Sequence, residues 1–128
     1  MTRTVARIYG IVFLLVGILG FVPGLAVPSA DMPGMSMLLG IFPINALHNI
    51  VHIVIGLGGL LAAGSLPNAR AYFKTIAVAY GLLTILGIVP VTSTVFGLVP
   101  IGGADIALHA AAAIVAAYFG WKAVEAVA

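Results

Sequence analysis

The sequence predicts an all-α integral membrane protein, a four-helix bundle made of two helical hairpins. Three observations predict it. The 128 residues are 63% hydrophobic and 6% charged, with a mean hydropathy of +1.30, a composition that a water-soluble globule cannot carry. The apolar residues fall into four stretches, each close to the roughly 20 residues needed to cross about 30 Å of hydrocarbon. Clusters of proline and glycine separate the stretches, as chain reversals require. Four spans and their connections use the available length, so residues 1–128 read as a single four-span transmembrane domain.

The first helix is expected over roughly residues 6 to 24, ending at Pro23-Gly24. Arg3, Arg7, the apolar run and Pro28-Ser29-Ala30 also imitate a secretory signal peptide. Cleavage there would put Pro28 where a small residue is preferred. Moreover, Ile18-Leu-Gly-Phe-Val-Pro23 recurs as Ile85-Leu-Gly-Ile-Val-Pro90, at the end of a segment that cannot be a signal. The first helix is therefore a span. Residues 25 to 43 form a loop containing Met32, Met35 and Met37, and helix two follows over roughly 44 to 64. Pro67 marks the next break, helix three runs over roughly 70 to 89, and a loop from 90 to 104 contains Pro90 and Pro100-Ile-Gly-Gly103. Helix four is expected over roughly 105 to 125.

All five basic residues fall on one side of this topology: Arg3, Arg7, Arg70, Lys74 and Lys122. Asp31 and Asp105 fall on the other, and Glu125 alone is acidic on the basic side. Because cytoplasmic loops are enriched in lysine and arginine, both termini are expected in the cytoplasm and both long loops outside, in a multi-pass inner-membrane protein. Tyr9, Tyr72, Phe73, Tyr118 and Trp121 lie at the cytoplasmic ends, as an interfacial aromatic belt would. In this setting the basic residues report orientation and not nucleic-acid binding. The chain has no cysteine, which excludes disulfides, thiolate ligands and iron–sulfur clusters.

The two halves echo each other. Gly40-Ile-Phe-Pro43-Ile44 recurs as Gly97-Leu-Val-Pro100-Ile101, and Leu47-His48 as Leu108-His109. Two halves of two spans each have parallel topology, so a duplication would relate the hairpins by a pseudo-two-fold axis along the membrane normal and bring His48 and His109 to equivalent places.

Chemistry is expected at two spots, Asn45-Ala-Leu-His48-Asn49-Ile-Val-His52 and Asp105-Ile-Ala-Leu-His109. Residues 45, 48, 49 and 52 stand three and four apart and share one side of a helix. His52 lies about 10 Å below the helix start, inside hydrocarbon. Ionisable residues at such depth face the bundle interior and pair or bind something. The sharp reading is a divalent transition-metal site, zinc or copper, with ligands His48, His52, Asp105 and His109, because neutral imidazole and carboxylate suit such ions and pairs four apart chelate from one helix face. Asn45 and Asn49 would hydrogen-bond to the imidazoles and hold their ligating tautomer. The three loop methionines would suit cuprous ion, although methionine serves more often as apolar filler.

The bland reading makes the same residues interhelical hydrogen-bond glue in an accessory subunit of a larger membrane complex. Asp105 is then the N-cap of helix four. A third reading places haem b between His48 and His109 as axial ligands, although no outer basic residue meets its propionates. No serine, cysteine or paired carboxylate is arranged as a nucleophile or acid–base couple, so the protein is expected not to be an enzyme. Glycines 10, 17, 20, 56, 58, 59, 81 and 87 favour close helix packing, within the bundle or in a homo-oligomer in the lipid bilayer.

The segments beginning Arg7-Ile-Tyr-Gly-Ile-Val-Phe, the Asn-x-x-His-Asn-x-x-His element at 45–52 and Asp105-Ile-Ala-Leu-His109 together resemble a family of small four-span bacterial membrane proteins, domain of unknown function 4383. The resemblance covers nearly the whole chain and is weakest after His109. It implies a bacterial inner-membrane protein of four helices and carries no activity with it. The metal reading comes from spacing alone.

Overall fold

The computed structural model describes residues 1–124, so Glu125 and the expected end of helix four near residue 125 lie outside the described residues. The described residues form four helices: α1 Thr2–Leu19, α2 Ala46–Ala62, α3 Leu66–Ile88 and α4 Ala104–Ala117, the last continuing as a π-helical turn over Tyr118–Lys122. α1, α3 and the Ala104–Lys122 segment are long and apolar enough to cross a membrane. α2, at 17 residues, is apolar and spans about 26 Å. Large apolar side chains such as Val54, Leu61, Leu82, Ile85 and Ile114 face outward on these helices, as in a protein whose solvent is lipid.

The expectation of an all-α fold needs one correction. The first long loop folds into a three-stranded antiparallel meander, β1 Ala26–Pro28, β2 Ser36–Leu38 and β3 Phe42–Ile44, in the order β1-β2-β3. Leu38 pairs with both Ala26 and Phe42. Turn chemistry explains the hairpins. Met32-Pro33-Gly34-Met35 is a type II turn, with proline at its second position, Gly34 at φ 78° and Met35 N–H donating to the Met32 carbonyl at 3.1 Å. Leu39, Gly40 and Ile41 connect β2 to β3 through a tight turn, in which Ile41 N–H donates to the Leu38 carbonyl at 3.1 Å and Leu39 and Gly40 are left-handed at φ 54° and 70°. Pro28 and Pro43 sit on the two edge strands, where a missing N–H breaks no ladder. Each strand is three residues long, too short to show alternation.

Helix boundaries moved where caps override hydropathy. α3 begins at Leu66 rather than near 70, because Ser65 accepts the Asn68 N–H and Pro67 fits the first turn, where its missing donor is harmless. α2 begins at Ala46 because Asn45 is its N-cap and accepts the His48 N–H at 2.8 Å. The Asn45 amide also donates to the Leu98 carbonyl at 2.8 Å, tying α2 to the second loop. Asn45→Ala is expected to lower stability by roughly 1 kcal/mol for the cap alone. Asn45→Asp keeps the cap acceptor, loses the tether donor, and should fall between the two in thermal unfolding followed by circular dichroism in detergent.

α1 packs on α2 and α3 on α4, as two hairpins. Backbones in the first hairpin meet at glycines. A Cβ on Gly10 would lie 2.8 Å from the Gly56 carbonyl oxygen, and one on Gly17 would lie 2.7 Å from that of Asn49. The inner core carries Ala6, Ala69, Phe73, Ile76, Tyr80 and Ala116. Tyr9 packs edge-on against Phe73, and its hydroxyl donates to the Ala112 carbonyl at 3.1 Å. Of the expected aromatic belt, only Tyr118 and Trp121 face outward; Phe73 is wholly buried, and Tyr9 and Tyr72 pack on the core. The basic residues gather at this end, where Arg3 donates to the Ala63 carbonyl and Arg70 to that of Ala123. They cap carbonyls left free at helix C-termini, where positive charge is favourable.

Candidate metal centre

At the opposite end, under the sheet, α2 and α4 bring their polar residues together. His48 and His52 are one turn apart on α2, with ring centroids 4.5 Å apart. The His109 ring on α4 lies 6.2 Å from that of His48. One nitrogen from each of the three rings lies within 4.8 Å of the others. Asp105 Oδ2 stands 3.7 Å from His109 Nδ1 and 4.0 Å from His48 Nε2. All four residues are at most 7% exposed.

The members of the cluster converge without pairing with one another, although the Pro43 backbone carbonyl lies within reach of the His48 ring. The His–Asp distances exceed hydrogen-bond length, and His48 Nδ1, His52 Nδ1, His109 Nδ1 and Asp105 Oδ2 have no hydrogen-bond partner. Buried polar groups are normally satisfied, because each orphan costs about 1–3 kcal/mol. Four at one point therefore call for an explanation.

α2 and α4 are not a closely packed pair. The imidazoles meet across the bundle because side chains bridge the gap. Aromatic rings from the other two helices fill the flanks, Phe13 of α1 at 5.4 Å from His52 and Tyr80 of α3 at 4.7 Å from His109. Neither Phe13 nor Tyr80 stands out in the sequence. An apolar ring leaves no polar signal in a sequence of apolar spans.

The two asparagines stand elsewhere. Asn45 is spent on its cap and on Leu98, and Asn49 turns toward α1, where its amide lies against Gly20 with Oδ1 unpartnered. Consecutive helix positions are 100° apart, so Asn49 cannot share the direction of His48. Neither holds an imidazole. Asp105 is not the N-cap of α4 either: Gly103, at φ 57°, takes that place, and Asp105 lies in the first turn. There its charge suits the helix N-terminus while its carboxylate reaches the histidines.

Two cavities meet at the cluster. One, of about 330 Å³, opens between α1 and α4 beneath the sheet, with Val12 and Phe13 on one wall and Leu108 and Ala112 on the other. The second, of about 160 Å³, lies against the second loop at Val95, Val99 and Ile101. His48, His52, Tyr80 and His109 line both and form the partition. Met32, Met35 and Met37 line neither; they belong to the hairpin of β1 and β2.

Neither the curated proteins nor the solved structures include a match to this chain. A family-wide sequence profile matches residues 3–122, nearly the full length and including every residue of the cluster, and by that match the protein belongs to the family described as Domain of unknown function (DUF4383).

Proposed function

We propose that this protein is a four-span inner-membrane bundle, both termini cytoplasmic, that holds a divalent transition metal at His48, His52, His109 and Asp105. The observation that carries the reading is the convergence of three buried imidazoles whose nitrogens lie within 4.8 Å of one another and which make no hydrogen bond to each other or to Asp105. In a tetrahedral zinc site, bonds of about 2.0–2.1 Å put ligand nitrogens about 3.3 Å apart. The cluster reaches that spacing by small ring movements toward a common centre. Nitrogen and oxygen donors suit zinc or cupric ion, and the distant methionines offer nothing to a cuprous route.

Four protein ligands close a tetrahedral site and leave no position for substrate, which supports a binding role and no catalysis. A role as interhelical glue requires hydrogen bonds between helices, and none joins His48, His52, His109 and Asp105 to one another. Haem between His48 and His109 meets crowding, because His52 packs against one ring and Tyr80 against the other. Duplication of the hairpin draws support from local agreement. Gly40 and Gly97 are both left-handed and both follow a left-handed residue, Leu39 and Phe96, and Ile44 and Ile101 are both buried.

The test is elemental analysis of protein stripped with a chelator and reloaded with zinc or copper in mild detergent. One metal per chain is expected in the wild type and none above background in His109→Ala. Substoichiometric metal in the reloaded wild type overturns the proposal, and so does full loading of the variant.

A further inference from the structure

We propose that the cleft between α1 and α4 binds an isoprenoid quinone drawn from the membrane, with its ring against the histidine partition and its tail running out between the helices into lipid. The cleft holds about 330 Å³, within the range of about 300–1,000 Å³ usual for small-molecule sites. That is room for a substituted ring and the first isoprene units. Ile8 and Val12 on α1 and Leu108 on α4 line it and are each about half exposed on the lipid-facing surface. A molecule dissolved in the bilayer reaches the cleft sideways, without crossing water.

The chemistry of the deep end selects the head group. There, Nδ1 of His48 and of His109 are buried and unpartnered in residues at most 4% exposed. A pure hydrocarbon would leave them unsatisfied, at the usual cost of orphaned polar groups. A fatty-acid carboxylate would be set against the Asp105 carboxylate. A neutral ring with carbonyl acceptors takes imidazole N–H bonds without adding charge to hydrocarbon. Its flat face suits the aromatic walls of Phe13 and Tyr80, since aromatic rings prefer offset or edge contacts.

This inference concerns the metal-free protein, because its ring would meet the same histidines that the metal proposal uses, and its test separates the two. Binding of a decyl-substituted benzoquinone to chelator-treated protein in nanodiscs is followed by equilibrium dialysis. Saturable binding, one per chain, is expected. Val12→Trp and Leu108→Trp fill the mouth from opposite walls without touching a histidine; each should weaken binding at least about tenfold while metal loading is unchanged from the wild type. Val78→Trp, on the lipid-exposed face of α3, should bind as the wild type does. Decanol, which has the tail and no ring, should compete poorly. Non-saturable partitioning, equal competition by decanol, or wild-type binding in both cleft variants overturns the proposal.

Discussion

Gly56→Ala is expected to destabilise the protein even though alanine is the better helix former, and Gly56→Leu to prevent the first hairpin from closing. An added Cβ at position 56 would stand 2.6 Å from the Leu14 amide nitrogen and 2.8 Å from the Gly10 carbonyl oxygen. Both are backbone atoms of α1 and cannot rotate aside. The only relief is to push the helices apart, which forfeits contacts along the whole α1–α2 seam; overpacking of this kind costs about 1–3 kcal/mol and more when backbone must move. Against that, glycine to alanine in a helix gains at most about 1 kcal/mol of propensity. Gly58→Ala supplies the control. Its Cβ would meet only the Tyr72 ring, at 3.8 Å, an ordinary contact, so the propensity gain should appear undiminished. Thermal unfolding in detergent should therefore move down for position 56 and level or up for position 58. Equal shifts of the same sign would mean that the seam does not depend on glycine. Because α2 carries His48 and His52, the position 56 variants should also lose metal.

His52→Leu is expected to abolish metal binding while leaving the metal-free protein no less stable. Loss of a ligand should cost more than the tenfold to about 100-fold drop in affinity typical of groups that merely orient ligands, as read by competition with a chromophoric chelator. The stability side follows from the unpaired nitrogen. In the metal-free protein His52 Nδ1 is buried with no hydrogen-bond partner, and replacing an unsatisfied polar group by an apolar one of similar shape is neutral or stabilising. Phe13, at 5.4 Å, already offers an apolar neighbour. Were the histidines interhelical glue, the same substitution would break bonds and lower the melting temperature of the metal-free protein. Loss of metal together with retained stability thus separates a binding site from a structural network. A fall in metal-free stability would decide for the network.

How far the sequence foretold this molecule differs from element to element. The four helices were legible because hydropathy needs no tertiary information: apolar length alone decides what lipid can solvate. The cap at Ser65 is legible, yet Pro67 reads as a break, since proline punctuates loops and helix first turns alike. The sheet was missed because three-residue strands carry no period, although Pro33-Gly34 announces its first turn. Asn45 and Asn49 illustrate a different limit. Spacing puts them on the same broad side as the histidines, but whether an amide caps its own helix, meets a glycine or touches an imidazole depends on which neighbour lies there.

By itself, then, the sequence determined the apolar length of the helices, their number, the end at which positive charge gathers, and the histidines that meet in the cluster, because these follow from composition and from distances along one chain. Only the tertiary structure decided that α2 and α4 meet through side chains and not through packed backbones, that Asp105 points to the histidines while Asn49 points away, and that a lipid-facing cleft ends at the cluster. The reason is steric. Glycine contacts in the α1–α2 seam fix the rotation of α2 about its axis, and that rotation, which no local pattern encodes, selects which of its polar residues face His109.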